Sequence, residues 1–237
     1  FPHWGKGSGR GAGPPRGVQV LGHFAVDALC AVTAVTAQSD ARVAAIHPVP
    51  PELVRAQIAA ALATRPVGAI KIGVLATRAA VMAVAEALPA VPTVLDPVLA
   101  ATSGGRLLDE PGRRALCEAL IPRVTLLTPN VPETAALLGE APARDTATLL
   151  DQAYRLLRLG MQAVLVKGGH AQGPEAVDLL VRPHGEVVRF ATPRFDVARR
   201  GTGCMLSASI AAGLALGMPL DAACRRAKTY VSNILRT

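Results

Sequence analysis

The chain has 237 residues, of which 51% are hydrophobic and 3% aromatic, which suits one large domain with its own core and excludes a disordered protein. No apolar run reaches the roughly 18 residues of a membrane-spanning helix, and we expect no secretory signal. The formal net charge is +8, but the arginines are scattered and lack interleaved aromatic residues, so we expect no nucleic-acid partner.

The order of apolar and polar residues predicts an irregular Gly/Pro-rich segment at 1–16 and one domain at 17–237. From Gly68 onward, short apolar runs alternate with helical patterns. Predicted strands are 68–75, 92–99, 124–130, 163–169, 177–181 and 187–193, and predicted helices are 77–89, 111–120, 131–140, 147–160, 202–217 and 219–235. This alternation predicts an α/β fold with a mostly parallel sheet covered on both faces.

Polar residues follow several predicted strands, and parallel strands bring such residues to one sheet edge. Asp96 ends one strand and can hold Mg²⁺ near phosphates, or simply cap a turn before Pro97. Asn130 and Glu133 start a helix, where they suit either a capping box or the metal and phosphates. Together these positions predict one site at the carboxyl edge of the sheet.

Three further polar residues are ambiguous when taken alone. Lys167 ends a buried strand beside two glycines and is expected to meet an anion, because a buried lysine is costly unless paired. Gln38 follows the apolar run 31–37, at the end of a predicted strand, and can bind a ring nitrogen and amino group, although a satisfied buried amide would look the same. Lys228, in the last helix, is by default a solvated side chain.

The sequence Gly201-Thr202-Gly203-Cys204 opens a predicted helix and predicts an anion site, because its backbone N–H groups are unobstructed and the helix dipole is positive there. Cys204 lies in that field, which favours its thiolate and makes it a candidate base or nucleophile. The four cysteines have no metal or disulfide spacing, so we expect a reduced, cytoplasmic protein. No P-loop or HExxH motif is present, and no GxGxxG follows a strand.

Several ordered segments resemble the hydroxymethylpyrimidine/phosphomethylpyrimidine kinases of the ribokinase-like superfamily. The segments are TAVTAQ at 33–38, KIGVL at 71–75, VLDPV at 94–98 with TSG at 102–104, LTPNVPE at 127–133, VLVKGGH at 164–170, GTGC at 201–204 and AKTY at 227–230. The resemblance implies a three-layer αβα fold and a homodimer. It also implies phosphorylation of 4-amino-5-hydroxymethyl-2-methylpyrimidine and its monophosphate in thiamine biosynthesis, with ATP and Mg²⁺.

The same resemblance implies a role for each matching residue. Gln38 would bind the aminopyrimidine, with Gly73, Val74 and Val98 lining the ring pocket. Asp96 and Glu133 would hold the metal, while Asn130, Lys167 and Lys228 would lie on the nucleotide side. Gly201, Thr202 and Gly203 would form the anion hole, and Cys204 would accept the proton of the alcohol.

The chain departs from the family pattern near its start, where Leu21 stands in place of an aspartate and no opening strand is recognisable. Two alternatives stay open, and the second of them rests on this departure. One is a pyridoxal or pyridoxine kinase of the same superfamily. The other is a non-catalytic protein that keeps affinity for nucleotide or pyrimidine.

Overall fold

The computed structural model describes residues 14–39, 42–101, 105–168, 173–195 and 201–236. Thr102–Gly104, Gly169, His170 and most of the irregular segment predicted at 1–16 lie outside these residues. No helix in the described ranges is both long and apolar enough to cross a membrane.

Eight strands and eight α-helices make up the described fold. The strands are β1 (Ala34–Gln38), β2 (Val43–Pro48), β3 (Ile70–Ile72), β4 (Thr93–Leu95), β5 (Leu126–Leu127), β6 (Ala163–Lys167), β7 (Glu175–Val181) and β8 (Val187–Pro193). The helices are α1 (Pro14–His23), α2 (Pro51–Thr64), α3 (Arg78–Ala87), α4 (Glu110–Ala115), α5 (Val131–Leu138), α6 (Thr146–Leu157), α7 (Thr202–Ala215) and α8 (Leu220–Arg236).

The main sheet has the order β3-β4-β5-β6-β7-β8. Strands β3 to β6 pair in parallel, whereas β7 and β8 are antiparallel additions at one side. One apolar cluster packs the sheet against α2, α3, α5 and α6, and a second packs its other face against α1, α7 and α8. The predicted three-layer α/β fold with a mostly parallel sheet is therefore confirmed.

Strand ends differ most from the sequence-based prediction. The first four predicted strands extend beyond the observed strands. In two of them the extra residues include Leu75 and Pro97, which are buried although they lie in loops after the strand ends. Helix α4 stops at Ala115 and continues as a π-helical turn at Leu116–Leu120 and a 3₁₀ turn at Ile121–Arg123. The prediction relied on apolar runs, which indicate burial. A buried loop after a strand gives the same signal as the strand itself.

Three elements near the start of the chain were not predicted. Helix α1 begins at Pro14, so residues 14–16 of the segment predicted to be irregular are helical. Helix α2 and strand β2 were also missed. Strand β2 pairs with β1 in a separate antiparallel hairpin, so the strand that ends at Gln38 is mostly exposed rather than part of the main sheet.

Candidate functional site

The centre of the candidate site is the ammonium group of Lys167, the last residue of β6. Its Nζ lies 2.7 Å from Oδ1 of Asp96 and 3.8 Å from Oε2 of Glu133. Asp96 follows β4 directly and Glu133 lies in the first turn of α5, so three strand ends converge. The predicted gathering of these side chains at the carboxyl edge of the sheet is thus observed.

Burial and charge act in opposite directions at this triad. Burial disfavours the ionised form of Asp96, but the charges of Lys167 and Lys71 and a hydrogen bond from Lys167 outweigh it and hold the pKa of Asp96 below its usual value. Burial by itself would lower the pKa of Lys167, yet the carboxylates of Asp96 and Glu133 raise that pKa above the ordinary value. The ion pair between Asp96 and Lys167 is therefore charged at neutral pH.

The N-terminus of α7 covers this triad. Gly201 precedes the helix with a φ of 79°, a left-handed conformation that favours glycine. A Cβ atom at Gly203 would lie 3.1 Å from Nζ of Lys167 and 3.8 Å from Oδ2 of Asp96, so the helix backbone approaches the ion pair closely. Within the described chain, no side chain caps the helix, which suits the predicted anion site.

Cys204 lies in the first turn of α7 and is partly buried. It interacts electrostatically with the Lys167 ammonium, so both the helix dipole and a cation favour a thiolate at this position. Ser207, one turn later, has its hydroxyl 3.4 Å from Oδ2 of Asp96 and 3.2 Å from the carbonyl oxygen of Cys204. The arrangement brings a candidate base next to a cation and an anion-binding helix end.

Asn130 and Glu133 form a capping box at the start of α5. Oδ1 of Asn130 accepts a hydrogen bond of 2.7 Å from the Glu133 N–H, and Oε2 of Glu133 accepts one of 2.8 Å from the Asn130 N–H. The structural interpretation of this motif is therefore correct, and it does not exclude the functional one. The box fixes the Glu133 carboxylate beside Lys167.

Glu133 carries a cost for the fold, because burial raises the pKa of its carboxyl more than the charge of Lys167 lowers it, and Asp96 adds a smaller repulsion. A carboxyl with a raised folded-state pKa destabilises the fold progressively as pH rises from its ordinary pKa to the folded-state pKa, and the full cost remains above that value. We expect Glu133→Gln, which keeps an acceptor for the Asn130 N–H, to raise Tm at pH 8. We expect the gain to disappear near pH 4.

Thermal unfolding at the two pH values measures this effect. Glu118→Gln, at an exposed position of the π-helical turn, is the matched control and should leave Tm unchanged at both. A lower Tm for Glu133→Gln at pH 8 would mean that the attraction between Glu133 and Lys167 outweighs the burial cost.

Three other predicted site residues, Lys228, Gln38 and Val74, have no direct contact with the triad of Lys167, Asp96 and Glu133 in the described structure. Lys228 is paired rather than solvated, since its Nζ lies 2.9 Å from Oδ2 of Asp178, whose Oδ1 accepts the Gly168 N–H. Gln38 is exposed at the end of the hairpin, and no described hydrogen bond links it to the triad. The carbonyl oxygen of Val74 accepts a hydrogen bond of 2.6 Å from the Thr33 hydroxyl.

Sequence reasoning missed Ser207, Asp178 and the placement of Lys71. A serine in an otherwise apolar helix, three residues after Cys204, was the available signal for Ser207. Asp178 lies in β7. The alternating pattern did not predict that β7 pairs antiparallel with β6. Leu21 packs against the apolar cluster beneath α7 and α8, so its side chain serves packing in this chain.

The carboxylates of Asp96 and Glu133 suit Mg²⁺ in chemistry, because hard oxygen donors are the ligands this ion prefers. They already flank one cation, the Lys167 ammonium. In the described part of the chain no three His, Cys, Asp or Glu side chains gather as a metal site. Two carboxylates are nevertheless a sufficient protein share for Mg²⁺, which usually keeps waters and substrate phosphates as its other ligands.

Comparisons with known proteins agree with this geometry. The sequence profile of the family described as phosphomethylpyrimidine kinase matches residues 7–237. A hydroxymethylpyrimidine/phosphomethylpyrimidine kinase of Rhizobium meliloti is 41% identical over 230 residues, covering 96% of this chain and 86% of that protein. The crystal structure of a phosphomethylpyrimidine kinase from Clostridium difficile superimposes with a TM-score of 0.79 at 29% identity, covering 92% of this chain and 91% of the other.

A second solved structure is that of the pyridoxal kinase from Staphylococcus aureus in complex with AMP-PCP. It superimposes with a TM-score of 0.86 at 26% identity, covering 98% of this chain and 86% of the other. The fold is thus shared by kinases with two different acceptors, and the acceptor has to be argued from the site and the nearer relatives.

Proposed function

The chain belongs to the phosphomethylpyrimidine kinase family, and on that premise we propose that its strand-end site phosphorylates hydroxymethylpyrimidine and then phosphomethylpyrimidine. It is a phosphotransferase of thiamine biosynthesis, and its relatives imply the use of ATP. The observation that carries the site assignment is the convergence of Lys167, Asp96 and Glu133 beneath the N-terminus of α7.

Phosphoryl transfer depends on positioning and charge stabilisation more than on covalent chemistry. We assign the N–H groups of Thr202 and Gly203 and the Lys167 ammonium to the transferring phosphoryl group. Asp96 and Glu133 would hold Mg²⁺, which neutralises phosphate charge when bound. Cys204 would accept the proton of the attacking alcohol, and the ion pair with Asp96 keeps Lys167 in place.

The remaining assignments concern the acceptor and nucleotide pockets. We assign Gln38, Gly73, Val74 and Val98 to the pyrimidine, and Asn130 and Lys228 to the nucleotide side. For Gln38 this requires the hairpin of β1 and β2 to close over the sheet edge when substrate binds. We also propose a homodimer, which the family resemblance implies, and a cytoplasmic location.

Purified protein with Mg²⁺-ATP and hydroxymethylpyrimidine is expected to release ADP and form first the monophosphate and then the diphosphate. Pyridoxal is the acceptor for comparison, because pyridoxal kinases share the fold. We expect kcat/KM to favour hydroxymethylpyrimidine, since the relative with the higher identity, 41% against 26%, acts on the pyrimidine.

A preference for pyridoxal would support the alternative kinase. Calorimetric binding of ATP or pyrimidine without any turnover would support a non-catalytic binding protein instead.

A further inference from the structure

We propose that Lys71 binds the phosphate group of the acceptor and serves the second phosphorylation, in which the acceptor is phosphomethylpyrimidine. The inference rests on the proposed function and assigns a specificity-determining residue within it. It starts from the position of one lysine that neither the ion-pair triad nor the resemblance explains.

Lys71 is the middle residue of β3, and its side chain lies on the sheet face covered by α7. Its register partner Val94 belongs to the apolar cluster beneath α7, whereas the neighbouring Ile72 belongs to the cluster on the opposite face. The ammonium extends along the strand to Gly73, where a Cβ atom would lie 2.5 Å from Nζ. Lys71 therefore presents its charge at the same sheet edge as the site.

The carboxylate of Asp96 interacts electrostatically with the Lys71 ammonium. The Asp96 N–H donates a 2.9 Å hydrogen bond to the carbonyl oxygen of Ile72, which places the aspartate beside the end of β3. The positive charge of Lys71 contributes, after that of Lys167, to stabilising the Asp96 carboxylate. The two lysines thus lie on either side of Asp96, one on β6 and one on β3.

Lys71 differs from the other two lysines of the described chain in having no partner there. Lys167 and Lys228 each form an ion pair with a buried aspartate. The Lys71 ammonium forms neither a hydrogen bond nor an ion pair in the described structure, although the residue is half-buried. A partly buried cation that no carboxylate contacts directly is a position where an anion binds favourably.

The second reaction requires such a cation, and the first does not. Hydroxymethylpyrimidine is a neutral alcohol, whereas a phosphate monoester carries a charge of about −1.5 to −2 at pH 7. Lys167 supplies one positive charge beside the two carboxylates of Asp96 and Glu133, and it is assigned to the transferring phosphoryl group, so it does not serve the acceptor phosphate. Lys71 is adjacent to Gly73, which we assign to the acceptor pocket, so its charge falls on the acceptor side of the site.

The bonds made and broken support this division of roles. In the second reaction an oxygen of the acceptor phosphate forms a bond to the γ-phosphorus of ATP. The bond from that phosphorus to the bridging oxygen breaks, and ADP leaves with the electron pair. Because the acceptor oxygen is already deprotonated near pH 7, no proton has to be removed. The alcohol of the first reaction must lose a proton, which is the role assigned to Cys204.

The test compares both acceptors in Lys71→Met and in the unchanged enzyme. We expect kcat/KM for phosphomethylpyrimidine to fall roughly 30-fold, mainly through KM, because a charge-assisted contact is lost. With hydroxymethylpyrimidine, kcat/KM should stay within about twofold. Lys71→Arg, which keeps the charge, should restore most of the second reaction. Arg158→Met removes an exposed cation in the turn before β6, at the opposite sheet edge, and should change neither reaction.

Calorimetric titration with phosphomethylpyrimidine in the absence of ATP gives a second readout. In it, Lys71→Met should raise Kd by a factor similar to the fall in kcat/KM. Equal losses with both acceptors would overturn the proposal, as would unchanged kinetics with phosphomethylpyrimidine. If the unchanged enzyme released no ADP with hydroxymethylpyrimidine, the proposed function itself would fail, and the binding titration would still report on Lys71.

Discussion

Cys204→Ala is expected to lower kcat with hydroxymethylpyrimidine by about 10²- to 10⁴-fold, the usual contribution of a positioned general base. Cys204 lies in the first turn of α7 and interacts with the Lys167 ammonium, so its thiolate is favoured where the alcohol oxygen would be activated. The effect should appear in kcat more than in KM, because the proton is taken up during the reaction. Steady-state ADP release measures both constants.

Cys30→Ala is the matched control, because Cys30 is exposed in the loop before β1 and lies outside the proposed site. It should leave both constants unchanged. With phosphomethylpyrimidine as acceptor, Cys204→Ala should have a smaller effect, since that acceptor is already deprotonated near pH 7. Full turnover of the alcohol by Cys204→Ala would remove Cys204 from the mechanism.

Asp96→Asn is expected to reduce activity by at least about 100-fold, a loss typical of a group that stabilises charge in the transition state. The variant removes one of two proposed metal ligands and one counter-charge of Lys167. It should also lower the free energy of unfolding by about 3 kcal/mol, because it leaves a buried lysine with only Glu133 at 3.8 Å.

The stability loss should depend on pH in a defined direction. The pKa of Asp96 is held below its usual value, so the charged pair stabilises the fold above pH 3.8. That contribution disappears as the pH falls through the folded-state pKa. Chemical denaturation should therefore separate the variant from the unchanged protein at pH 7 and bring the two together in acid.

Asp221→Asn is the control for this prediction. Asp221 also forms an ion pair, with Arg182, but its side chain is 43% exposed and it lies in the first turn of α8, at the far end from the site. Its replacement should cost about 1 kcal/mol or less and leave kinetics unchanged. An Asp96→Asn protein with normal turnover would show that Asp96 serves the fold alone.

The capping box at α5 and the glycine turn before α7 followed from sequence because both are local. Asn130 and Glu133 are three residues apart, and Gly201 precedes its helix directly, so the backbone geometry depends on adjacent residues only. The lysine at the end of β6 was also predicted to meet an anion. Its partner Asp96 lies 71 residues away, and parallel strand order was enough to bring the two together.

The structure alone decided how the remaining charges are paired. Lys228 has the sequence pattern of a solvated helix residue, and only the antiparallel addition of β7 brings Asp178 to it. Lys71 belongs to an apolar strand pattern, and nothing nearby in sequence distinguishes it from a paired lysine.

The sequence by itself determined the α/β class, the strand-end placement of Asp96, Glu133 and Lys167, and the helix that begins after Gly201. These depend on local conformation and on the shared direction of parallel strands. Only the tertiary structure decided that Lys167 is held between two carboxylates while Lys71 forms no direct ion pair in the described chain. Ion pairing depends on distances between side chains far apart in sequence, and the order and register of strands β3 to β6 in the sheet set those distances.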